Sequence, residues 1–150
     1  MELVRLNYDH YQKILAHDKE NFPNDYWKEG DWKNLLNDID CHYYAYILDR
    51  QIAANVFVDK NPDGYIKIMH LAVSQELRGK GLAAKLLSFV TEKFTQDGYF
   101  RFYAETRESN LAMQKSFEKS GYQFRCLVEN MFENPPENGF KYQLILEKRK

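Results

Sequence analysis

Residues 71–87 read "LAVSQELRGKGLAAKLL", and this stretch decides the fold. A run of small apolar residues ends in a polar turn. Gly79 and Gly81 then flank Lys80, with Arg78 just before them, and an apolar helical pattern starts at once. The first N–H groups of a helix have no partner within it and carry positive partial charge. A glycine turn in front of them lets several N–H groups converge on one point, and leaves no side chain in the way of a ligand. Such a seat suits a phosphate or a pyrophosphate. Arg78 and Lys80 add charge beside it. "GKGLAA" also satisfies the dinucleotide pattern G-x-G-x-x-A. That pattern should follow its strand almost directly and open a series of βα units. Here residues 74–78 intervene and little chain follows. A phosphate loop ending in Gly-Lys-Ser/Thr is excluded, because Gly81 follows Lys80.

The rest of the chain falls into alternating elements around this turn. Upstream, "YIKIMHLAV" is a long strand after the turn "NPDG", and "YYAYIL" and "IAANVFV" form a hairpin before it. "ELVRL" is a short strand, residues 9–18 have helical spacing, and Asp31 is placed to cap a helix running to about Ile39. Downstream, Leu82, Leu86, Val90 and Phe94 recur every fourth residue, as on an amphipathic helix. "YFRFYAE" is the next strand. "SNLAMQKSFEKSGY" is a helix with Ser109 or Asn110 to cap it and Gly121 to end it. Strands "YQFRCLV" and "FKYQLILEK" close the chain, joined by the loop "ENPPENG". The expected order is β-α-α-β-β-β-α-β-α-β-β. Hairpins mixed with crossovers make this an α/β (α+β) fold with a mixed sheet.

Bulk properties limit the partners. The 150 residues suit one domain, 1–150, and 44% hydrophobic content is enough for a core. A net charge of −1 gives no electrostatic footprint for nucleic acid. No apolar run approaches the roughly 20 residues that span a bilayer. The N-terminus has no basic segment followed by an apolar one, as a signal peptide would. Cys41 and Cys126 have no metal-ligand spacing and are expected as reduced core thiols of a cytoplasmic protein, with no metal. The terminal "EKRK" is expected as a solvated end.

"LAVSQELRGKGLAAKLL" resembles the central Arg/Gln-x-x-Gly-x-Gly/Ala motif of the Gcn5-related N-acetyltransferases, with Arg78, Gly81 and Ala83 at its fixed positions. "NLAMQKSFEKSGY" resembles the family's Asn-x-x-Ala-x-x-x-Tyr-Glu-x-x-Gly-Phe helix through Asn110, Glu118, Gly121 and Tyr122. Ala112 is one place early, and Met113 holds the usual small-residue site. The resemblance implies a mixed, mostly antiparallel sheet with helices on both faces, and parallel strands 4 and 5 (65–73 and 99–105) splayed apart. It implies acetyl-CoA as donor and an amine as acceptor, in a monomer or homodimer. The pantetheine arm would lie in the gap against the backbone of Leu71 and Val73, much as an added strand would. The backbone of Arg78, Gly79, Lys80, Gly81, Leu82 and Ala83 would hold the pyrophosphate, with Asn110 and Phe117 lining the arm from the other side.

The acceptor ammonium must lose a proton before it attacks the thioester. "ETRESN" resembles a stretch of the ribosomal-protein and N-terminal acetyltransferase branch in which the glutamate is the base. That makes Glu105 the candidate, against a solvated glutamate or a partner for Arg107. His70 is a second candidate, against a packed histidine. Its parity with Ile66 and Ile68 places it with them. The family's proton-donating tyrosine is replaced by Phe117, which has no proton to give. Ser116, Tyr122 or Tyr142 would have to substitute, or the thiolate leaves unassisted, or the domain binds acyl-CoA without catalysis. Tyr26, Trp27 and Trp32 are read as acceptor-site walls or as core. Glu129, Glu133 and Glu137 form an acidic rim or a solvated loop. "CLVENMF" lacks the paired tyrosines expected of the peptide branch, so a small amine and a peptide N-terminus both stand as acceptors.

Overall fold

The structure is a computed structural model, and it describes residues 1–147. The strands are β1 (Glu2–Leu6), β2 (Cys41–Leu48), β3 (Gln51–Asn61), β4 (Tyr65–Val73), β5 (Arg101–Arg107), β6 (Gln123–Glu133) and β7 (Pro136–Ile145). The helices are α1 (Tyr11–Asn21), α2 (Glu29–Leu36), α3 (Leu82–Gln96) and α4 (Leu111–Lys119), with short 3-10 turns at Tyr8–His10 and Gln75–Leu77. The element order is the expected one. The sheet runs β1-β2-β3-β4-β5-β7-β6, antiparallel at every junction except β4–β5. The last three residues of the "EKRK" end lie outside the described residues.

Apolar spacing builds a core on each face. On one side Leu82, Leu86, Leu87, Val90 and Phe94 of α3 pack with Ile66, Ile68 and Leu71 of β4 and with Phe117 of α4. Each such side chain contributes about 1.5–3 kcal/mol on full burial. On the other side Ile14 of α1 and Trp32 of α2 pack with Tyr43 and Phe57.

Several local expectations shift. Asp31 sits in the first turn of α2, where it favours the dipole, and Lys28 holds the N-cap position. The loop "ENPPENG" shrinks to a tight connection, because β6 runs to Glu133 and β7 starts at Pro136. Cys41 is buried as expected, but Cys126 is exposed on β6. Burial, with Asp59 nearby, pushes the Cys41 thiol up to about 12. No helix among the described residues is long and apolar enough to cross a membrane.

The parallel β4–β5 junction is short. Only Ile66 with Phe102 and Lys67 with Tyr103 pair across it. Beyond that point β4 stays with β3 as far as Val73, and β5 stays with β7 as far as Arg107, so the two part. A bulge at Met69 changes β4 as it enters the gap, since Val58 pairs with Ile68 while Phe57 pairs with His70. An extra residue reverses strand parity. His70 therefore faces α1 and α2, opposite to Ile66 and Ile68. Its burial was legible in the sequence, but its face was not.

Candidate active site

The splayed strands open a cleft of about 800 Å³ that runs from the start of α3 to the α1–α2 loop. At one end, Gly79 (φ +82°) and Gly81 (φ +80°) both adopt left-handed backbone, and Gly81 is the N-cap of α3. The N–H of Lys85 makes the helix's bond to Gly81 C=O at 3.0 Å, so the N–H groups of Leu82, Ala83 and Ala84 precede the intrahelical ladder. A Cβ at either glycine would meet no protein atom within 4 Å. This is an open cradle of main-chain donors at a helix start, which fits a diphosphate.

Leu82 and Ala83 are buried, so their side chains anchor the cradle while their amides line it. Lys80 is exposed and stands outside the cleft lining. Arg78 lines the cleft, but its guanidinium turns back: Nε donates to Val73 C=O at 2.9 Å and Nη2 to Asn21 Oδ1 at 3.2 Å. Lys115 and Lys119 of α4, not singled out from sequence, also line the cleft.

The middle of the cleft is the bared edge of β4. Ser74 N–H donates to Ala53 C=O at 2.8 Å, so Ser74 and Ala72 turn their main-chain groups to β3. By alternation Leu71 and Val73 turn theirs into the gap. Opposite them, Asn110 caps α4 by accepting from Met113 N–H at 3.1 Å, a bond that uses its amide oxygen and not its amide nitrogen. Phe117 lines the cleft with its ring packed 5.6 Å from Tyr122 and 5.2 Å from Tyr142. Those two tyrosines lie behind it, outside the lining, and burial raises both phenols above their usual range. Ser116 does line the cleft, with its hydroxyl donating to Ala112 C=O at 3.1 Å.

At the far end, Glu105 sits on the wall between two lysines, 3.0 Å from Lys67 and 3.9 Å from Lys141. It is not the partner of Arg107. Arg107 instead makes a two-pronged pair with Asp25 of the α1–α2 loop, 2.7 Å for each bond. It also reaches Glu137 Oε1 at 3.0 Å, Pro135 C=O at 2.9 Å and Asn134 C=O at 3.1 Å. These five bonds use the five N–H donors of a guanidinium. Arg107 thus ties β5, the α1–α2 loop and the β6–β7 turn together around the cleft mouth. Glu137 belongs to this knot and its carboxyl is held below the usual range by bonds to Ser109 and Arg107, while Glu129 and Glu133 are exposed. Trp27 lines the cleft, Trp32 is core, and Tyr26 is exposed.

Sequence reading missed a buried polar chain in the α1-side wall. Arg78 can only donate, so Asn21 accepts with its oxygen, and its nitrogen donates to His17 Nδ1 at 3.2 Å. His17 Nε2 then donates to Asn55 Oδ1 at 3.0 Å, and Asn55 Nδ2 donates to His70 Nδ1 at 3.0 Å. His70 Nε2 donates to Asp18 Oδ1 at 2.9 Å. Asp18 Oδ2 accepts from Trp27 N–H at 2.8 Å and Trp32 Nε1 at 2.7 Å. Burial lowers the His17 pKa to about 4, in keeping with a neutral ring in this chain. Both nitrogens of His70 are engaged, so it is a packed, hydrogen-bonded histidine and not a free base. Nothing in "AHDKEN" marks Asp18 or His17 from sequence; only the fold brings them to Asn55 and His70.

Residues 7–122 match the acetyltransferase (GNAT) family, and the chain belongs to it. Acetyl-CoA is the donor cosubstrate of this class of enzyme. Among solved structures, the fold is similar to that of the ribosomal-protein-S18-alanine N-acetyltransferase from Escherichia coli, at 15% identity and TM-score 0.88, covering 99% of this chain and 96% of that one. It is also similar to Arabidopsis thaliana NAA60, solved with a bisubstrate analogue, at 12% identity and TM-score 0.83, covering 99% of each chain. A third neighbour is a Bacillus anthracis chain solved in complex with acetyl coenzyme A, at 20% identity and TM-score 0.66, covering 75% of this chain and 66% of that one. No curated protein sequence matches the chain.

Proposed function

We propose that the chain is a single cytoplasmic domain that transfers the acetyl group of acetyl-CoA to a primary amine by direct attack in a ternary complex. The observation that carries this reading is the continuity of the cleft. One passage joins the main-chain cradle at Gly79–Ala84, the bared edge at Leu71 and Val73, and the carboxylate of Glu105. In the reaction an amine nitrogen forms a bond to the thioester carbonyl carbon, the C–S bond breaks, and coenzyme A leaves as thiolate or thiol. Holding both reactants in near-attack geometry supplies much of the acceleration. The amides of Gly81 to Ala84 hold the diphosphate. The main-chain groups of Leu71 and Val73 hold the pantetheine arm, with Asn110 across from them, and a β4 amide faces the carbonyl oxygen as negative charge develops. Glu105 takes the proton of the acceptor ammonium, directly or through water.

Phe117 supports a second reading, an acyl-CoA-binding or sensor domain without turnover. The ring has no proton for the leaving thiolate, and the neighbouring tyrosines lie behind it. A thiol pKa near ~8.5 makes coenzyme A a tolerable leaving group without help, and Ser116 stands at the cleft, which favours the enzyme. Thiol release from acetyl-CoA, measured across a panel of small amines and peptide N-termini, separates the two. Release with at least one acceptor supports the enzyme. Binding of coenzyme A with no release for any acceptor refutes it.

A further inference from the structure

The bulge at Met69 does two things at once. Without it, His70 would lie on the α3 face beside Ile66 and Ile68, and the main-chain groups of His70 and Ala72 would point into the gap. With it, the His70 ring lies on the α1 face, and Leu71 and Val73 present their N–H and C=O groups to the gap. The face taken by one side chain and the choice of amides that meet a ligand are therefore one register decision. That side chain is held by a donor and an acceptor on two different elements, Asn55 of β3 and Asp18 of α1, both almost wholly buried. The chain from Asn55 continues through His17 and Asn21 to Arg78, whose Nε returns to Val73 C=O. Segment 70–73 is thus tied at both ends by one circuit.

We infer that Asp18, His70 and Asn55, with His17, Asn21 and Arg78 closing the circuit, are positioning residues that fix the bulged register of β4 and so aim the Leu71 and Val73 main chain at the acyl-CoA arm. This rests on the acyl-CoA reading of the cleft. Two features of the circuit support a device of this kind. It has a single donor-to-acceptor sense, fixed by a guanidinium at one end and a carboxylate at the other, so its members cannot reorient singly. A hydrophobic side chain at position 70 would instead favour the α3 face, where Ile66 and Ile68 already lie. Val73 C=O has two lone pairs and can accept from Arg78 and from a ligand amide together.

The test compares coenzyme A with ADP, which carries the diphosphate but no pantetheine. Calorimetry on the wild-type protein and His70→Leu is paired with hydrogen exchange at the amides of Leu71 and Val73. In the wild type, coenzyme A protects both amides. In His70→Leu, coenzyme A affinity falls at least tenfold, ADP affinity stays within twofold, and the protection is lost. A general loss of stability would lower both affinities together. Asn21→Ala, on a partly exposed helix end, breaks the circuit with less risk to folding. It lowers coenzyme A affinity about threefold and leaves ADP unchanged. A folded His70→Leu with wild-type coenzyme A affinity and protection overturns the inference. If His70→Leu does not fold, unchanged coenzyme A affinity in Asn21→Ala overturns it. Wild-type protein that binds neither ligand overturns the acyl-CoA reading itself, and this inference with it.

Discussion

Replacing Gly81 by alanine separates the stability of the cradle from its use. Gly81 holds φ +80° and ψ 14° at the N-cap of α3. An L-residue in that region is strained by about 1–2 kcal/mol. Stiffening the unfolded chain offsets about 0.4–1 kcal/mol of this. The net loss is about 1 kcal/mol, and for a chain of this size Tm falls by roughly 2–4 °C. No packing clash adds to it, because a Cβ would meet nothing within 4 Å. That open space is where a diphosphate would approach the amides. Losing one charge-assisted hydrogen bond there costs about 1.5–3 kcal/mol, a factor of about 10–150 in Kd. Gly98 is a matched control. It has φ +95°, equally open surroundings, and a place just past the other end of α3. Thermal melts of Gly81→Ala and Gly98→Ala should fall together, while calorimetry shows coenzyme A binding weakened at least tenfold in Gly81→Ala alone. Equal affinity in the two variants, at equal Tm, would refute the assignment of the cradle.

Three further outcomes are expected. Glu105→Gln lowers kcat about 100-fold or more and shifts the acid limb of the pH–rate profile, with coenzyme A affinity unchanged; unaltered turnover removes Glu105 from the base role. Phe117→Tyr places a phenol on the cleft wall and raises kcat about tenfold where leaving-group protonation limits the rate; no gain in single-turnover rate means that thiolate departs without help. Lowering the pH from 7.5 to 4 destabilises the fold through His17, whose ring faces Asp18, His70, Asn21 and Asn55. Its folded pKa of about 4 lies below the unfolded value of about 6.5, so the unfolded chain binds the extra proton across that window. Stability is full above pH 6.5 and declines by up to about 3 kcal/mol as pH falls to about 4. Urea unfolding at stepped pH measures it, and a His17→Gln variant with the same slope in that window would contradict the cause.

The parts of the site that are local in sequence were legible. Glycines 79 and 81, an apolar strand before them and an amphipathic helix after them specify a helix-start cradle whatever the rest of the chain does. Asn110 at the head of α4 carries its own capping chemistry. The groups that depend on long-range packing were not legible. Asp25 and Arg107 are 82 positions apart and Asp18 and His70 are 52 apart, and neither pair has a local signature. Charge inventory alone singled out Lys80, which is exposed and outside the cleft lining, and overlooked Lys115 and Lys119, which α4 brings to the cleft.

His70 shows why one strand resisted reading. Simple alternation in "YIKIMHLAV" groups Ile66, Ile68 and His70 on one face, and that grouping also turns Leu71 and Val73 toward β3. A strand that presents those two residues to a ligand and one that aligns His70 with the isoleucines cannot both be regular. The bulge resolves the conflict, and its cause lies outside the strand. A buried imidazole on the α3 face would sit in the apolar cluster that holds Ile66, Ile68, Leu82 and Leu86, with its nitrogens unpartnered, at a cost of about 1–3 kcal/mol per unsatisfied group. On the α1 face it meets Asn55 and Asp18 at hydrogen-bond distance. The polar partners on β3 and α1 therefore select the face, the face selects the register, and the register selects which amides line the cleft. A histidine within an apolar strand is for that reason a signal of irregular pairing as much as of catalysis, and here it marks where the sheet departs from alternation as β4 enters the cleft.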